Sequence, residues 1–439
     1  MCAPGPRRGI THPSDGLILN SSLPVRLAHS PEQQPPSPRP QKSPAVKQDL
    51  RRNNLAALVH HLHLSGPLTR SELTARTGLN RSTVGDLVGA LASVGLVRES
   101  APLSRSRTGR PSLVVSLDNE RVWVLAVELA PEAIVVARVG PGAQVLDRLF
   151  QPRNWRCHLA PAAAAAIIGN LANALTTRAP AGSRLVGTAV AVPGIVRRSD
   201  GFVHLAPNLA WHDVPFGSLV SSHLPGQPGV RLANEADLGA LAECARGAAV
   251  GFRHVIYISG NAGVGAGVIV EGNLLAGRSG YAGEVGHMKV SQHGHSCRCG
   301  ASGCWESEIG AAAVLRRAGR RSKDARGALA AVLADARAGD RKASEAIRET
   351  GRWIGLGTAT LVNIFNPDLV VFGGALRGVF LAAEAVVMDE LCRQALPQSG
   401  ADTAVVVAGL GTDSVLLGAA ELAFSEFLAD PMTGAATGP

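Results

Sequence analysis

The sequence predicts an α/β protein in two parts: a winged helix-turn-helix, then a larger region of two α/β lobes facing a cleft. Three observations predict it. Basic charge is concentrated at the front, with 15 Lys and Arg against 8 Asp and Glu in residues 1–120, and 28 against 26 in the remainder. Three short helical patterns, punctuated by Gly66, Gly78 and Gly95, follow one another from Asp49 onward. From residue 121 the chain alternates short apolar runs with longer helical patterns.

The first 47 residues carry 10 of the 27 prolines in the chain and read as a disordered leader. A compact domain is expected over residues 48–118. Leu55, Leu58, Val59 and Leu62 lie on one face of a first helix that Gly66-Pro67 ends. Thr69, with Glu72 three residues on, forms a capping box for a second helix anchored by Leu73 and closed by Gly78. Asn80 caps a third, whose Val84, Leu87, Val88, Leu91 and Val94 repeat at three- and four-residue intervals. Two short strands, Leu96 to Glu99 and Leu113 to Leu117, flank a basic tip and make a wing.

This pattern assigns roles toward DNA. Asn80, Arg81, Ser82 and Thr83 stand at the start of the recognition helix, where side chains reach base edges or phosphates in the major groove. Arg105, Arg107 and Arg110 in the wing serve the backbone or the minor groove. Thr69, Arg70 and Ser71 open the second helix, whose free N–H groups are expected to hold a phosphate. The alternative is a small helical oligomerisation domain with solvated arginines.

Residues 121–430 form the second part. Trp123 to Val127, Ala133 to Val139 and Gln144 to Phe150 read as strands, Pro161 to Leu175 as a helix, and Val186 to Val192 as a buried strand. A second block repeats this order loosely: strands at His254 to Ser259 and Ala266 to Val270, a helix around Ser344 to Phe365, a strand at Leu369 to Phe372, and a late helix from Ser414 to Leu428. The nearest approach to a membrane span, residues 159–175, is interrupted by Pro161 and Asn170, so no membrane segment is expected. Pro4, Pro6, Pro13 and Asp15 break up any export signal, and a cytoplasmic location follows. With 46% hydrophobic and 18% charged residues, the composition is that of folded domains.

Seven cysteines are too few for a disulfide framework, yet Cys297, Cys299 and Cys304 cluster ten residues after His287. Four soft or borderline ligands close a tetrahedral zinc site, and Gly300 and Gly303 permit the tight loop around it. With every position filled by protein, the zinc of loop 287–304 is structural. His293 and His295 are substitute ligands in principle and read better as solvated loop residues.

Val192-Pro193-Gly194-Ile195-Val196, Ala206-Pro207-Asn208-Leu209-Ala210-Trp211, Asn234-Glu235-Ala236-Asp237 with Glu243, Gly263-x-Gly265-x-Gly267, and Ala282-Gly283-Glu284-Val285-Gly286-His287 before the cysteines resemble the ROK family of repressors, open reading frames and kinases. With the winged helix, the resemblance covers about residues 50–428. It implies an actin-like, sugar-kinase-type (ribonuclease H-like) fold with a monosaccharide or derivative in the cleft. It also implies that Asn234, Glu235, Glu284, His287 and Glu306 contact sugar hydroxyls, with Asn208 and Gly194 as weaker candidates. His287 would serve both sites, one ring nitrogen on zinc and the other toward the sugar.

Kinases of the family open the first lobe with an Asp-x-Gly-Gly-Thr turn that cradles ATP phosphates, and their catalytic base is the Asp of an Asn-Asp pair. This chain has Glu128-Leu129-Ala130-Pro131 and Glu235 at those places. Pro131 removes a donor N–H as well, and Gly263, Gly265, Gly267 and Gly373-Gly374 are then expected to persist as tight turns framing the cleft. The expectation is therefore a regulator without enzymatic activity: a repressor that binds operator DNA as a homodimer or homotetramer and responds to a sugar. The alternatives are an ATP-dependent hexose kinase with a DNA-binding appendage, and a repressor controlled by another protein through a vestigial sugar site.

Overall fold

The computed structural model describes residues 44–101, 112–130, 132–152, 159–224, 226–227, 229–260, 263–322 and 325–433. The wing arginines Arg105, Arg107 and Arg110, and the leader up to residue 43, lie outside the described residues.

The first helix, α1 (Pro44–Ser65), begins inside the segment expected to be leader: Pro44 to Lys47 are helical. Proline fits a first helical turn, where its missing N–H has no partner to lose. Leu55, Leu58, Val59 and Leu62 are buried, and Gly66 leaves the helix at φ 75°. A two-residue strand, β1 (Leu68–Thr69), precedes α2 (Arg70–Thr77), where Thr69 and Glu72 form both bonds of the capping box and Gly78 closes the helix in the left-handed region. Asn80 caps α3 (Arg81–Ser93), whose Val84, Leu87, Val88 and Leu91 are buried. The wing strands are β2 (Val97–Ser100) and β3 (Val114–Leu117), and β3 lies between β1 and β2, antiparallel to both.

The first lobe is built on β4 (Val122–Leu129), β5 (Ala133–Gly140), β6 (Gln144–Pro152), α4 (Pro161–Thr177) and β7 (Arg184–Val192). A small antiparallel sheet follows, β8 (Ile195–Arg197), β9 (Phe202–Ala206) and β10 (Trp211–Val214), then α5 (Phe216–Ser222) and β11 (Val230–Asn234). The main sheet runs β11-β7-β4-β5-β6, with β11, β7 and β4 parallel. Alternation along β4 sorts its side chains: Trp123, Leu125 and Val127 pack in one apolar cluster with α4, and Val124 and Ala126 enter another on the opposite face.

A linking helix, α6 (Glu235–Arg246), leads into the second lobe. That lobe contains β12 (Val255–Gly260), β13 (Val264–Val270), β14 (Asn273–Leu274), α7 (Trp305–Ile309), α8 (Ala311–Arg317), α9 (Ala325–Arg337), α10 (Arg341–Phe365), β15 (Leu369–Gly374), α11 (Leu376–Gln394), α12 (Pro397–Asp402) and β16 (Ala404–Val407). Its sheet runs β16-β15-β12-β13-β14, three parallel strands followed by two antiparallel ones. The first sheet has the same strand pattern, so the two lobes are topological equivalents. The small sheet β8 to β10 interrupts the first and has no counterpart in the second.

Two sequence expectations are corrected. The last helix, α13 (Ser414–Ala429), read as part of the second block, crosses back and packs on β4, β7 and α6. Its Ala419, Ala420 and Phe424 share one apolar cluster with Val124 of the first lobe and with Leu58, Leu62, Val84 and Val115 of the winged helix. The glycines expected as tight turns, Gly265 and Gly267, lie inside β13. A Cβ on Gly267 would stand 2.6 Å from both the Ala236 carbonyl oxygen and the Ala240 Cβ, so these glycines let α6 lie flat on the sheet.

Candidate functional site

The candidate DNA-facing surface starts from the two caps. Asn80 Oδ1 accepts from Thr83 N at 2.8 Å and from the Ser82 hydroxyl at 2.7 Å, so Asn80, Ser82 and Thr83 shape the start of α3. Arg81 and Ser82 are exposed there, and Arg81 has no ion pair among the described residues. The N–H groups expected to be free at the start of α2 are in part already bonded. Thr69 N–H donates to Glu72 Oε2 at 2.7 Å, Glu72 N–H donates to Thr69 Oγ1 at 3.1 Å, and Arg70 N–H is taken by Leu113 O at 3.0 Å. Arg70 also grips Glu99 with two bonds, the longer 2.6 Å, and Ser71 reaches Ser112 at 3.3 Å. The capping box and the wing strand thus occupy the N–H groups of Thr69, Glu72 and Arg70.

The candidate metal centre brings together all four expected residues. The ligand atoms of His287, Cys297, Cys299 and Cys304 lie within 4.8 Å of one another. Cys299 Sγ and Cys304 Sγ are 3.7 Å apart, and Cys297 Sγ is 3.7 Å from His287 Nδ1. Tetrahedral zinc with sulfur at about 2.3 Å sets neighbouring ligand atoms about 3.8 Å apart, so the donor set and its spacing fit that ion. Gly300 and Gly303 take φ of 94° and 77°, and a Cβ on Gly303 would fall 1.9 Å from Ser291 O. His293 and His295 are exposed and stand outside the cluster.

The cleft residues converge from three directions. Asn234 ends β11 and caps α6: its Oδ1 accepts from Ala236 N at 2.7 Å, and its Nδ2 donates to Gly194 O at 2.9 Å. Asn234, Gly194, Asp237, Gly265, Gly283 and Glu284 line one enclosed recess. Glu284 Oε2 lies 4.0 Å from His287 Nε2, which leaves the other ring nitrogen toward the cysteines. Glu306 accepts from Val264 N at 2.8 Å, and a Cβ on Gly263 would stand 2.5 Å from its Oε2. Asn208 Oδ1 is held by Arg298 of the metal loop at 2.7 Å.

Burial governs the charges here. It pushes Glu235 up to about 7 although part of its surface reaches solvent. Asp237 also rises to about 7, chiefly through burial; Arg198, 3.0 Å away, opposes the rise and Glu284 adds to it. Glu284 is raised first by burial and next opposed by His287. Sequence reasoning quoted Asp237 within its motif without giving it a role and passed over Arg198. The available signal was a second acid two residues after Glu235, before the apolar run that begins at Leu238.

Opposite this recess the lobes enclose a second cavity of about 480 Å³, lined by Glu128, Glu132, Arg148, Ser259, Arg377 and Asp413 among others. Glu128 and Ala130 lie where a phosphate turn would have to form, and the strand pairing of Glu128 with Val135 and Ala191 leaves that segment extended. No helix among the described residues is long and apolar enough to cross a membrane.

The ROK family model matches residues 156–426. The chain is 27% identical over 383 residues to the xylose repressor of Bacillus spizizenii, which covers 85% of this chain and 96% of that protein. It is 31% identical over 280 residues to a glucokinase of Streptomyces coelicolor, covering 60% of this chain and 87% of the kinase. The crystal structure of a ROK family transcriptional regulator, a homologue of the Escherichia coli Mlc protein, superposes with a TM-score of 0.72 at 22% identity over 89% of this chain and all of that one. The ordered motifs, the duplicated lobe topology and a family match over more than half the length agree, and the chain belongs to the ROK family.

Proposed function

We propose that the protein is a sugar-responsive transcriptional repressor that binds operator DNA through α3 and the wing and takes a monosaccharide in the cleft. The observation that carries this reading is the extent of the repressor similarity, which spans 85% of the chain and so includes the winged helix, whereas the glucokinase similarity spans 60%. In this reading Asn234, Glu235, Glu284, His287 and Glu306 hold the sugar hydroxyls, with Asn208 and Gly194 at the rim. Zinc on His287, Cys297, Cys299 and Cys304 fixes the ring of His287 and thereby one wall of the pocket. The repressor acts as a homodimer or homotetramer in the cytoplasm, so that paired recognition helices read a palindrome.

The pocket also favours an uncharged sugar. Asp237 and Glu284 line it, and among the described residues Arg198 is bonded to Asp237 and Arg298 to Asn208. A phosphorylated sugar or a uronate would bring its charge against these carboxylates, with Arg198 and Arg298 already engaged.

The test is selection of genomic fragments by the purified zinc-loaded protein, with and without a panel of monosaccharides and their phosphates. Recovery of a palindromic site released by an uncharged sugar supports the reading. A site released by a sugar phosphate alone overturns the charge argument, and a DNA site indifferent to every sugar overturns the sugar response.

One observation favours a kinase as the second reading: a carboxylate near 7, such as Glu235, is suited to accept a hydroxyl proton. Against it stands the sequence Glu128-Leu129-Ala130-Pro131, which has no glycine and one N–H fewer for a phosphate cradle. ADP formation dependent on sugar would decide for the kinase.

A further inference from the structure

We propose that α6 transmits the state of the sugar pocket to the DNA-binding domain, and that Arg246 and Glu421 are the positioning residues through which it does so. The proposal rests on the sugar-responsive reading above and names how that site is read out.

Helix α6 runs from the cleft to the contact with α1 and α13. It begins at Glu235, and the cap Asn234 and the first-turn Asp237 both line the cleft recess. About 18 Å away, at a rise of about 1.5 Å per residue, its last residue is Arg246. Arg246 Nε donates to Glu421 Oε1 of α13 at 2.7 Å, and its Nη2 donates to the His63 carbonyl oxygen of α1 at 3.0 Å. Glu421 Oε2 in turn meets His63 Nε2 at 2.9 Å, and the other ring nitrogen of His63 faces the Gly142 N–H at 3.2 Å. His63 is fully buried, with the Phe424 ring 5.0 Å away. One arginine therefore joins the helix that holds the sugar residues to the helix that carries the winged domain.

The helix between these ends has little freedom to bend. Gly239 faces the Tyr257 ring, where a Cβ would stand 2.4 Å from it, and Gly418 of α13 lies against the Leu238 carbonyl, where a Cβ would come within 1.9 Å. Near the C-terminal end, the buried carboxylate of Glu243 accepts from the N–H groups of Ala248, Gly409 and Leu410 and from the Ser414 hydroxyl, at 2.8 to 3.1 Å. A displacement at Asn234 and Glu235 is thus passed along a stiff element to Arg246 instead of being absorbed on the way. The contact it reaches is polar and directional, so a small shift changes which bonds α1 keeps.

The test uses the full-length, zinc-loaded protein and the operator recovered by selection, with D-xylose and D-glucose as probes. Sugar binding is read by calorimetry and operator affinity by fluorescence anisotropy, for the unaltered protein, Arg246→Ala, Arg246→Lys and Glu421→Gln. In the unaltered protein the sugar should weaken operator binding within the usual allosteric range of roughly 5- to 150-fold. The expected result is that Arg246→Ala and Glu421→Gln bind sugar within about twofold of the unaltered protein while the operator response falls below about twofold, with partial rescue in Arg246→Lys.

Variants that respond as the unaltered protein does overturn the proposal and leave the sugar-responsive reading intact. An unaltered protein whose operator binding no sugar of the full panel changes overturns both. Hydrogen exchange on the unaltered protein needs no variant: sugar should change protection in the last two turns of α1 and at Gly142, and unchanged protection there also overturns the proposal.

Discussion

At the scale of the residue, Glu235 shows how the pocket trades stability for a prepared binding group. An unfolded chain releases its proton near the ordinary value of 4.5, whereas the folded chain keeps it until about 7. The folded state therefore has its full advantage from this group below pH 4.5 and has lost it above 7. Asp237, raised from 3.8 to about 7, acts in the same sense. Sugar-free protein should lose stability between pH 4.5 and 7 in denaturant titrations, and Glu235→Gln should remove as much as about 3 kcal/mol of that loss. An unchanged pH slope in the variant would show that Glu235 ionises normally. The metal ligands yield a second expectation: Cys304→Ala should retain well below one equivalent of zinc by elemental analysis. Loss of the ordered His287 should weaken sugar binding by roughly ten- to a hundredfold, with operator affinity little changed.

Among the elements, α6 and α13 depend on glycine for their separation. Gly418→Ala would drive a methyl group into the Leu238 carbonyl, and overpacking of this kind costs about 1–3 kcal/mol. Gly89 gives the opposite case: it lies in α3 with nothing within 4 Å of a Cβ, so Gly89→Ala should raise stability by about 0.5–1 kcal/mol. Chemical denaturation of the two variants measures both signs in one scaffold. The contrast was not legible in the sequence, because both glycines interrupt helical patterns in the same way. Only the neighbour across the interface separates a spacer from a defect.

Across the whole molecule, the winged helix is docked on the first lobe and does not hang from a free linker. One apolar cluster runs from Leu58, Val84 and Val115 through Val124 to Ala419 and Phe424. The winged helix and the first lobe should therefore unfold together in scanning calorimetry. A separate low-temperature transition that Leu58→Ala shifts alone would mean that the shared core does not couple them. Docking also gives a sugar bound in the cleft a solid route to the DNA-reading surface, which a flexible tether would not provide.

The features legible in the sequence are those whose partners lie close along the chain. Thr69 and Glu72 cap α2 across three residues, Asn80 caps α3 in the same way, and the metal ligands His287 to Cys304 fall within one loop. Alternation and helical spacing marked which faces are apolar, and β4 and α1 bury those faces. His63 continues the stripe of Leu55, Leu58, Val59 and Leu62, so its burial was legible too, but its partner was not. Glu421 stands 358 residues away, and Arg246 reaches the pair from a third element. The return of α13 to the first lobe, the Arg198–Asp237 pair and the flat contact of α6 on β13 were decided by tertiary structure for the same physical reason. A sequence pattern states that a surface must be covered or a charge compensated, and the packing of the complete chain determines which distant group does it.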